Sequence, residues 1–409
     1  MSRAAEWLER ARKASEKRAA VGEDIDLSAY KRESETDISY KADPSALPAE
    51  IKRDALEAGV TLDDRKERAG TFVQVDNSVV HSGSTQDGIE VMDIISARER
   101  YGWLEEYLWR AVQVDADKYT AQTEIGGAHG YFIRALPGAK SVFPVQACLY
   151  VATNNLVQNV HNIIIAEEGS ELDIITGCAV PRRTGAGMHI GVSEFHIKKG
   201  ARLTFTMVHN WGAETAVRPR SAAIVEDEGT FLSYYICMRP VRTLQMYPRT
   251  TCLGKNSVAQ FNSVLVAGPG SNMDVGARVD LVGEGSRAEI VSRALTSGGR
   301  IIARGHLSGQ AANTKGHLEC RGLILSDEGQ ILAIPELDGQ VAGVDLSHEA
   351  AVGKLAEEEL EYLMARGLSR DEATSAIIKG FISMDVTGLP QQLADELRKA
   401  VEMSDQQGM

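Results

Sequence analysis

Cys320 and the adjacent pair His348-Glu349 place a thiol, an imidazole and a carboxylate near the point where a strand-rich stretch gives way to a more helical pattern. These donor types bind iron and sulfide. The chain has only five cysteines, Cys148, Cys178, Cys237, Cys252 and Cys320, and no two are spaced as CxxC, so each thiol is read from its surroundings. In HLECRGLIL, strand alternation puts Leu318, Cys320, Gly322 and Ile324 on one face. A buried structural cysteine fits that pattern, and so does a thiol facing an apolar interface where a labile cluster would be shielded. His348 and Glu349 follow Ser347, which reads as an N-cap, and Glu349 there would complement the positive end of a helix. Neighbours on a helix project about 100° apart, so a single chain would offer one metal centre only one of the two directly.

Cys178 is the second reactive candidate. It sits in DIITGCAVPRRTG, where a strand ends just before Arg182-Arg183, and nearby positive charge favours the thiolate. An inert core thiol is the competing reading. His189, Glu194, His209 and Trp211 follow closely enough to line the same region. Cys148, Cys237 and Cys252 lie in apolar strand contexts that predict core packing. Neither GxxxxGK[ST] nor a strand–GxGxxG–helix context is present, so nothing points to nucleotide phosphate binding by this chain.

Three regions must position these groups. Residues 1–125 are charged and partly helical, with Ala4, Trp7, Leu8 and Ala11 at helical spacing and a second helix expected from Pro48 to Ala58. Residues 126–342 repeat one phrase: apolar strand, charged residue, Gly, polar residue, apolar strand. Its turn glycines are Gly169, Gly200, Gly229, Gly270, Gly285, Gly299 and Gly329, the first three about thirty residues apart. That period predicts a mainly β fold with a β-solenoid core, an antiparallel sandwich being the alternative. Residues 343–409 read as helices: His348 to Arg366 ending at Gly367, a capping box at Ser369–Glu372, a helix with Ala373, Ala376, Ile377, Gly380 and Phe381 on one face, and a last helix through Leu393, Leu397 and Val401.

The chain of 409 residues, 43% hydrophobic, can bury a sizeable core, and its net charge of -13 disfavours nucleic acid, which is held through basic contacts. Sparse, scattered cysteines fit a reducing compartment, and no apolar run approaches the ~20 residues of a membrane span. The expectation is a cytoplasmic protein bound to neither nucleic acid nor membrane.

Three stretches, in this order, resemble the SufB/SufD family, the paired scaffolds of the SUF iron-sulfur cluster assembly system. They are GYFIRALPGAKSVFPVQACLYVATNN running on through IIIAEEGSELDIITGCAVP and MHIGVSEFHIKKGARLTFTMVHNW; HLECRGLILSDEGQILAIPELDG followed by DLSHEAAVGKL; and LEYLMARGLSRDEATSAIIKGF. The resemblance implies a right-handed parallel β-helix and a C-terminal region that docks a SufC-type ABC ATPase, with Ala373, Ile377 and Phe381 as candidate docking residues. It also implies a nascent cluster where two scaffolds meet, as a homodimer or with a SufB/SufD paralogue. Cys320, Glu349 and His348 fall on the family's cysteine, glutamate and preceding histidine, which makes the chain SufB-like. Cys178 falls on the proposed entry point for sulfur from a cysteine desulfurase or other donor, and a reduced flavin enters as a candidate cofactor. Along the family's sulfur route, this chain departs by carrying Tyr150 and Ala152 in place of Arg and Asn, and His209 in place of Gln. On this reading the chain is a non-enzymatic scaffold, ATP hydrolysis belonging to the partner. Two rivals remain: a SufD-like structural subunit that binds no cluster, and a β-helix carbohydrate-active enzyme, for which Asp173, Glu194 and Asp274 form no obvious pair.

Overall fold

The computed structural model describes residues 2–63, 67–127, 129–181 and 186–382. The glycine phrase is the corner of a parallel β-solenoid of about eight turns. One sheet, here sheet A, stacks Val145–Tyr150, Glu171–Ala179, Arg202–Asn210, Thr230–Cys237, Val258–Ala267, Arg287–Thr296, Lys315–Ile324 and Asp345–Lys354. Sheet B runs from Tyr131–Ala135 through Val157–Ala166 and Gly187–Ile197 to Asn272–Leu281, Arg300–Gly309 and Gln330–Gly339. Arg202 pairs with Thr230, Thr230 with Val258, Val258 with Arg287 and Arg287 with Lys315, so equivalent residues stack coil upon coil. Parallel pairing rules out the sandwich.

The corners need left-handed backbone, which glycine adopts without steric cost. Gly169, Gly200 and Gly285 supply it with φ of 67°, 65° and 71°. At the turn containing Gly229 the left-handed residue is instead Glu228, with φ of 57°. Between the sheets the interior is apolar, with Phe195 in ring contact with Phe205 and Phe231 at 4.7 and 5.1 Å and Phe231 in turn with Phe261 at 5.9 Å. Offset and edge-on aromatic packing of this kind adds to the burial of area.

Helices cover the outer faces at the N-terminal end. Helix α1 (Arg3–Lys13) buries Trp7 and Ala11 with Ile94 and Ala97 of α3 (Ile94–Arg100), over Ile163 and Ile165 of sheet B. Helix α2 (Ala49–Glu57) lays Ile51 and Ala55 over Cys148 and Ile175 of sheet A. Helix α4 (Lys118–Ile125) starts at a capping box of Asp117 and Thr120 and packs against α1.

The C-terminal reading needs one correction. His348 does not open a helix: Asp345–Lys354 is a strand in register with Lys315–Ile324, so the solenoid runs past residue 342 and Ser347 is not an N-cap. Helix α5 spans only Glu357–Met364, and Gly367 lies beyond it with φ of 101°. The capping box holds, Ser369 N–H donating to Glu372 Oε2 at 2.8 Å and Glu372 N–H to Ser369 Oγ at 3.3 Å. Helix α6 (Arg370–Ile382) packs Ile378 and Ile382 on Val264, Leu295 and Leu323 of sheet A. The helix expected through Leu393, Leu397 and Val401 lies outside the described residues.

Candidate functional site

Cys320 points into the solenoid from the last coil but one of sheet A. Its stacked neighbours are Ser292 below and Ala350 in the final coil above, and it is 2% exposed. Burial, reinforced by the nearby Glu319 carboxylate, pushes its thiol up to about 11. The inward face predicted from alternation is therefore correct as far as Leu318 and Cys320.

The strand conformation of Asp345–Lys354 changes the relation between His348 and Glu349. Successive strand residues point to opposite faces. His348 pairs with Leu318 and shares the inward side with Cys320, one strand over and two residues along, a Cα separation of about 8 Å from sheet geometry. Glu349 pairs with Glu319 on the outward side, where Glu319 is ion-paired to Arg321. Both His348 and Glu349 are exposed, on the outermost strand among the described residues. Among the described residues no group of three or more His, Cys, Asp or Glu side chains is arranged to hold a metal ion. One chain thus presents Cys320 and His348 on one face and Glu349 on the other.

Cys178 also faces the interior, with Leu149 stacked on one side and His209 on the other. It is fully buried, and burial raises its thiol well above the ordinary value, opposite to the activation expected from Arg182-Arg183, which lie outside the described residues. His209 does line this region, as do His189 and Trp211: the Trp211 ring lies 5.1 Å from His189 and 5.3 Å from His209. Tyr235 hydroxyl meets His209 Nδ1 at 2.6 Å. Burial holds His189 down to about 3 and His209 well below its usual value, so both rings are neutral near pH 7. Glu194 does not join them. It faces outward from sheet B, where His161 Nε2 lies 2.8 Å from its Oε1.

Sequence spacing missed a polar column that register makes plain. Tyr235, Ser263, Ser292 and Cys320 are stacked partners in successive coils on the inward face of sheet A. A narrow internal cavity of about 40 Å³ is lined by Tyr235, Ser263 and Ser292 among the phenylalanines. Since Tyr235 bonds His209 and His209 stacks on Cys178, polar side chains step from Cys178 to Cys320 through the apolar interior. Tyr150, by contrast, faces outward and donates to Asp54 at 2.8 Å.

On α6 the predicted face is partly committed to the chain itself. Ala373 is fully buried and Phe381 packs beside Ile378, while Ile377 is half-buried and Ala376 and Gly380 are exposed. Ala373 is therefore not a surface docking residue. The carboxylates considered for sugar chemistry are dispersed: Asp173 is largely buried, Asp274 is ion-paired to Arg304 at 2.5 Å, and Glu194 is bound as described.

A parallel β-solenoid with buried inward cysteines, one of them a single coil beneath the outermost described coil, is the class of protein these features define. The family model for the SUF system FeS cluster assembly SufBD core domain matches residues 149–381. An iron-sulfur cluster assembly SufBD family protein of Methanothermobacter thermautotrophicus is 48% identical over 402 residues, covering 97% of this chain and 98% of that protein. A SufBD family protein of Archaeoglobus fulgidus is 51% identical over 349 residues (85% and 94%), and one of Pyrococcus horikoshii is 30% identical over 364 residues (88% and 81%). The chain belongs to the SufBD family, which is involved in iron-sulfur cluster assembly. No helix among the described residues is long and apolar enough to cross a membrane.

Proposed function

We propose that this chain is a SufB-like scaffold that holds a nascent iron-sulfur cluster at the open end of its solenoid. The observation that carries this reading is the placement of Cys320, inward-facing and one coil below the outermost of the described coils. A second scaffold chain, another copy or a paralogue, covers that end. Cys320 and His348 of one chain then combine with donors from the other, while outward Glu349 serves the rim of the junction. Iron binding expels the thiol proton that burial otherwise retains. The Cys178 thiolate attacks the outer sulfur of a persulfide on a cysteine desulfurase or other donor, the donor's S–S bond breaks and its thiol leaves, and two electrons and two protons, with a reduced flavin as the candidate source, then release that sulfur as sulfide and restore the Cys178 thiol. A SufC-type ATPase docks on the exposed side of α5 and α6, where Tyr362, Met364 and Ile377 are accessible, and its ATP-driven movement exposes buried Cys178 and Cys320. The setting is cytoplasmic.

The test is anaerobic reconstitution with iron and sulfide of the wild type and Cys320→Ser, alone and with a second scaffold chain, followed by visible absorption, Mössbauer spectra and analysis of bound iron and sulfide. A chromophore lost in Cys320→Ser supports the scaffold reading. An unchanged chromophore in the variant sinks Cys320 as ligand. The lack of a three-donor group among the described residues of one chain is what a second reading, a SufD-like structural subunit, would show. Failure of the wild type to bind iron even with a second scaffold would establish that alternative.

A further inference from the structure

A cleft of about 410 Å³ opens on the outer side of sheet B, away from the cysteines, between α1, α3 and the loop that carries Trp109. Its walls are apolar, formed by Trp7, Ile94, Leu108 and Trp109, with His161 as floor. Buried Glu194 fixes this arrangement. Its carboxylate accepts the main-chain N–H groups of Trp109, Ala111 and Val112 at 2.6, 2.5 and 3.0 Å, and lies 2.8 Å from His161 Nε2. This contact and the main-chain bonds fix Glu194 and the His161 ring beneath the cleft. Trp109 is held in left-handed backbone, φ 55°, its ring 4.2 Å from that of His161 and its indole N–H donating to Glu124 Oε2 at 2.8 Å. The aromatic wall is thus pinned at main chain, ring face and ring edge.

The charges around the cleft are unbalanced. Glu99, Glu105 and Glu124 line it, while the lining cation among the described residues, Arg98, lies 3.9 Å from Glu105. Glu124 is half-buried, so its charge acts in a partly desolvated setting. Indole faces attract cations, and apolar walls with a few convergent polar groups are the usual form of a small-molecule site. We propose that this cleft binds a small organic ammonium, its apolar frame between Trp7 and Trp109 and its N–H donors directed to Glu124. A carboxylate or phosphate ligand would meet the surplus negative charge and is rejected.

The site is independent of the cluster reading, and its test leaves reconstitution untouched. The full chain at pH 7 is titrated with phenethylamine, 2-phenylethanol and 3-phenylpropionate, reading intrinsic tryptophan fluorescence and ligand-observed saturation-transfer NMR. The amine should bind saturably and at least about tenfold more tightly than the alcohol or the acid, an advantage expected from charge and cation–π contacts. Ile95 sits on the rim and is 51% exposed, so Ile95→Arg should weaken the amine without changing Tm. Glu124→Gln should narrow the preference for amine over alcohol. Absence of saturable amine binding, equal or tighter binding of the acid, or an unaltered titration in folded Ile95→Arg would each overturn the proposal.

Discussion

The two ends of the solenoid are finished differently. At the N-terminal end, Gly70–Val75 pairs antiparallel with Ser78–Ser84, and Tyr131–Ala135 pairs antiparallel with Ile89–Asp93, so hairpin-like partners occupy the strand edges. Phe72, Ile133 and Val145 beneath them are fully buried. At the C-terminal end, Gln330–Gly339 and Asp345–Lys354 are outermost among the described strands. Leu337 and Val352 continue the interior columns of Leu307 and Gly322 but are 42% and 41% exposed. Free strand edges bearing apolar side chains are costly to leave bare, and proteins normally cover or charge them. The contrast is that, among the described residues, the strand edges at the N-terminal end are paired while the outermost coil at the C-terminal end keeps apolar side chains exposed, and Cys320 lies one coil beneath it.

The strongest test of this asymmetry is a matched pair of charges. Val145→Asp buries an unpaired carboxylate and should cost about 4 kcal/mol or more, whereas Val352→Asp should stay within about 0.5 kcal/mol. Denaturant melts followed by circular dichroism would decide, and equal losses would remove the distinction between the ends. Next in size is the clamp of α6. Ile378→Ala should cost about 2–3 kcal/mol, and limited proteolysis should cut after Phe381 faster than in the wild type while the strand core persists.

Acid should act on the middle of the solenoid rather than on its ends. His189 and His209 are buried neutral, their proton affinity depressed, so the stability they contribute is complete above the ordinary histidine range and is lost as pH falls from about 6.5 toward the folded value of about 3 for His189. Tm should drop between pH 7 and 5, and His209→Gln should flatten that dependence; an identical slope in a folded variant would assign the acid sensitivity elsewhere. The smallest effect is at the thiols. Cys320 is raised to about 11 and Cys148 to about 12, so the stability tied to their protonated forms is full below the usual thiol range and declines as pH rises above it. Alkylation of the native chain at pH 8 should be slow at both, but faster at Cys320, which needs only the last coil to open; mass spectrometry of labelled peptides would read the order.

The solenoid was legible because its corner chemistry is local: a charged residue, glycine and a polar residue between apolar strands announce each turn. Alternation in HLECRG put Leu318 and Cys320 on one face, and the sheet register makes that face the interior. The last coil was misread for a reason of the same kind. As the outermost described strand, DLSHEAAVGK carries exposed Ala, Glu and His, a composition that favours helix, and only pairing with Lys315–Ile324 makes it a strand. Once it is a strand, His348 and Glu349 separate to opposite faces. At Cys178 burial raises the thiol well above its ordinary value, a desolvation that residue types along the sequence do not display, while Arg182 and Arg183 lie outside the described residues. The polar column from His209 to Cys320 could not be seen, since its members are about thirty residues apart and become neighbours only through register.

Stacked coils touch chiefly their immediate neighbours, so loosening the outermost one breaks a single set of ladder bonds and leaves those below intact. Hydrogen exchange along the strand columns should therefore form a gradient with its fast terminus at residues 330–354. Cys320, one layer beneath, would then be reached by a local, reversible fraying event whose free energy is a small part of the global value, and anything that clamps the final coil sets how often its thiol is seen.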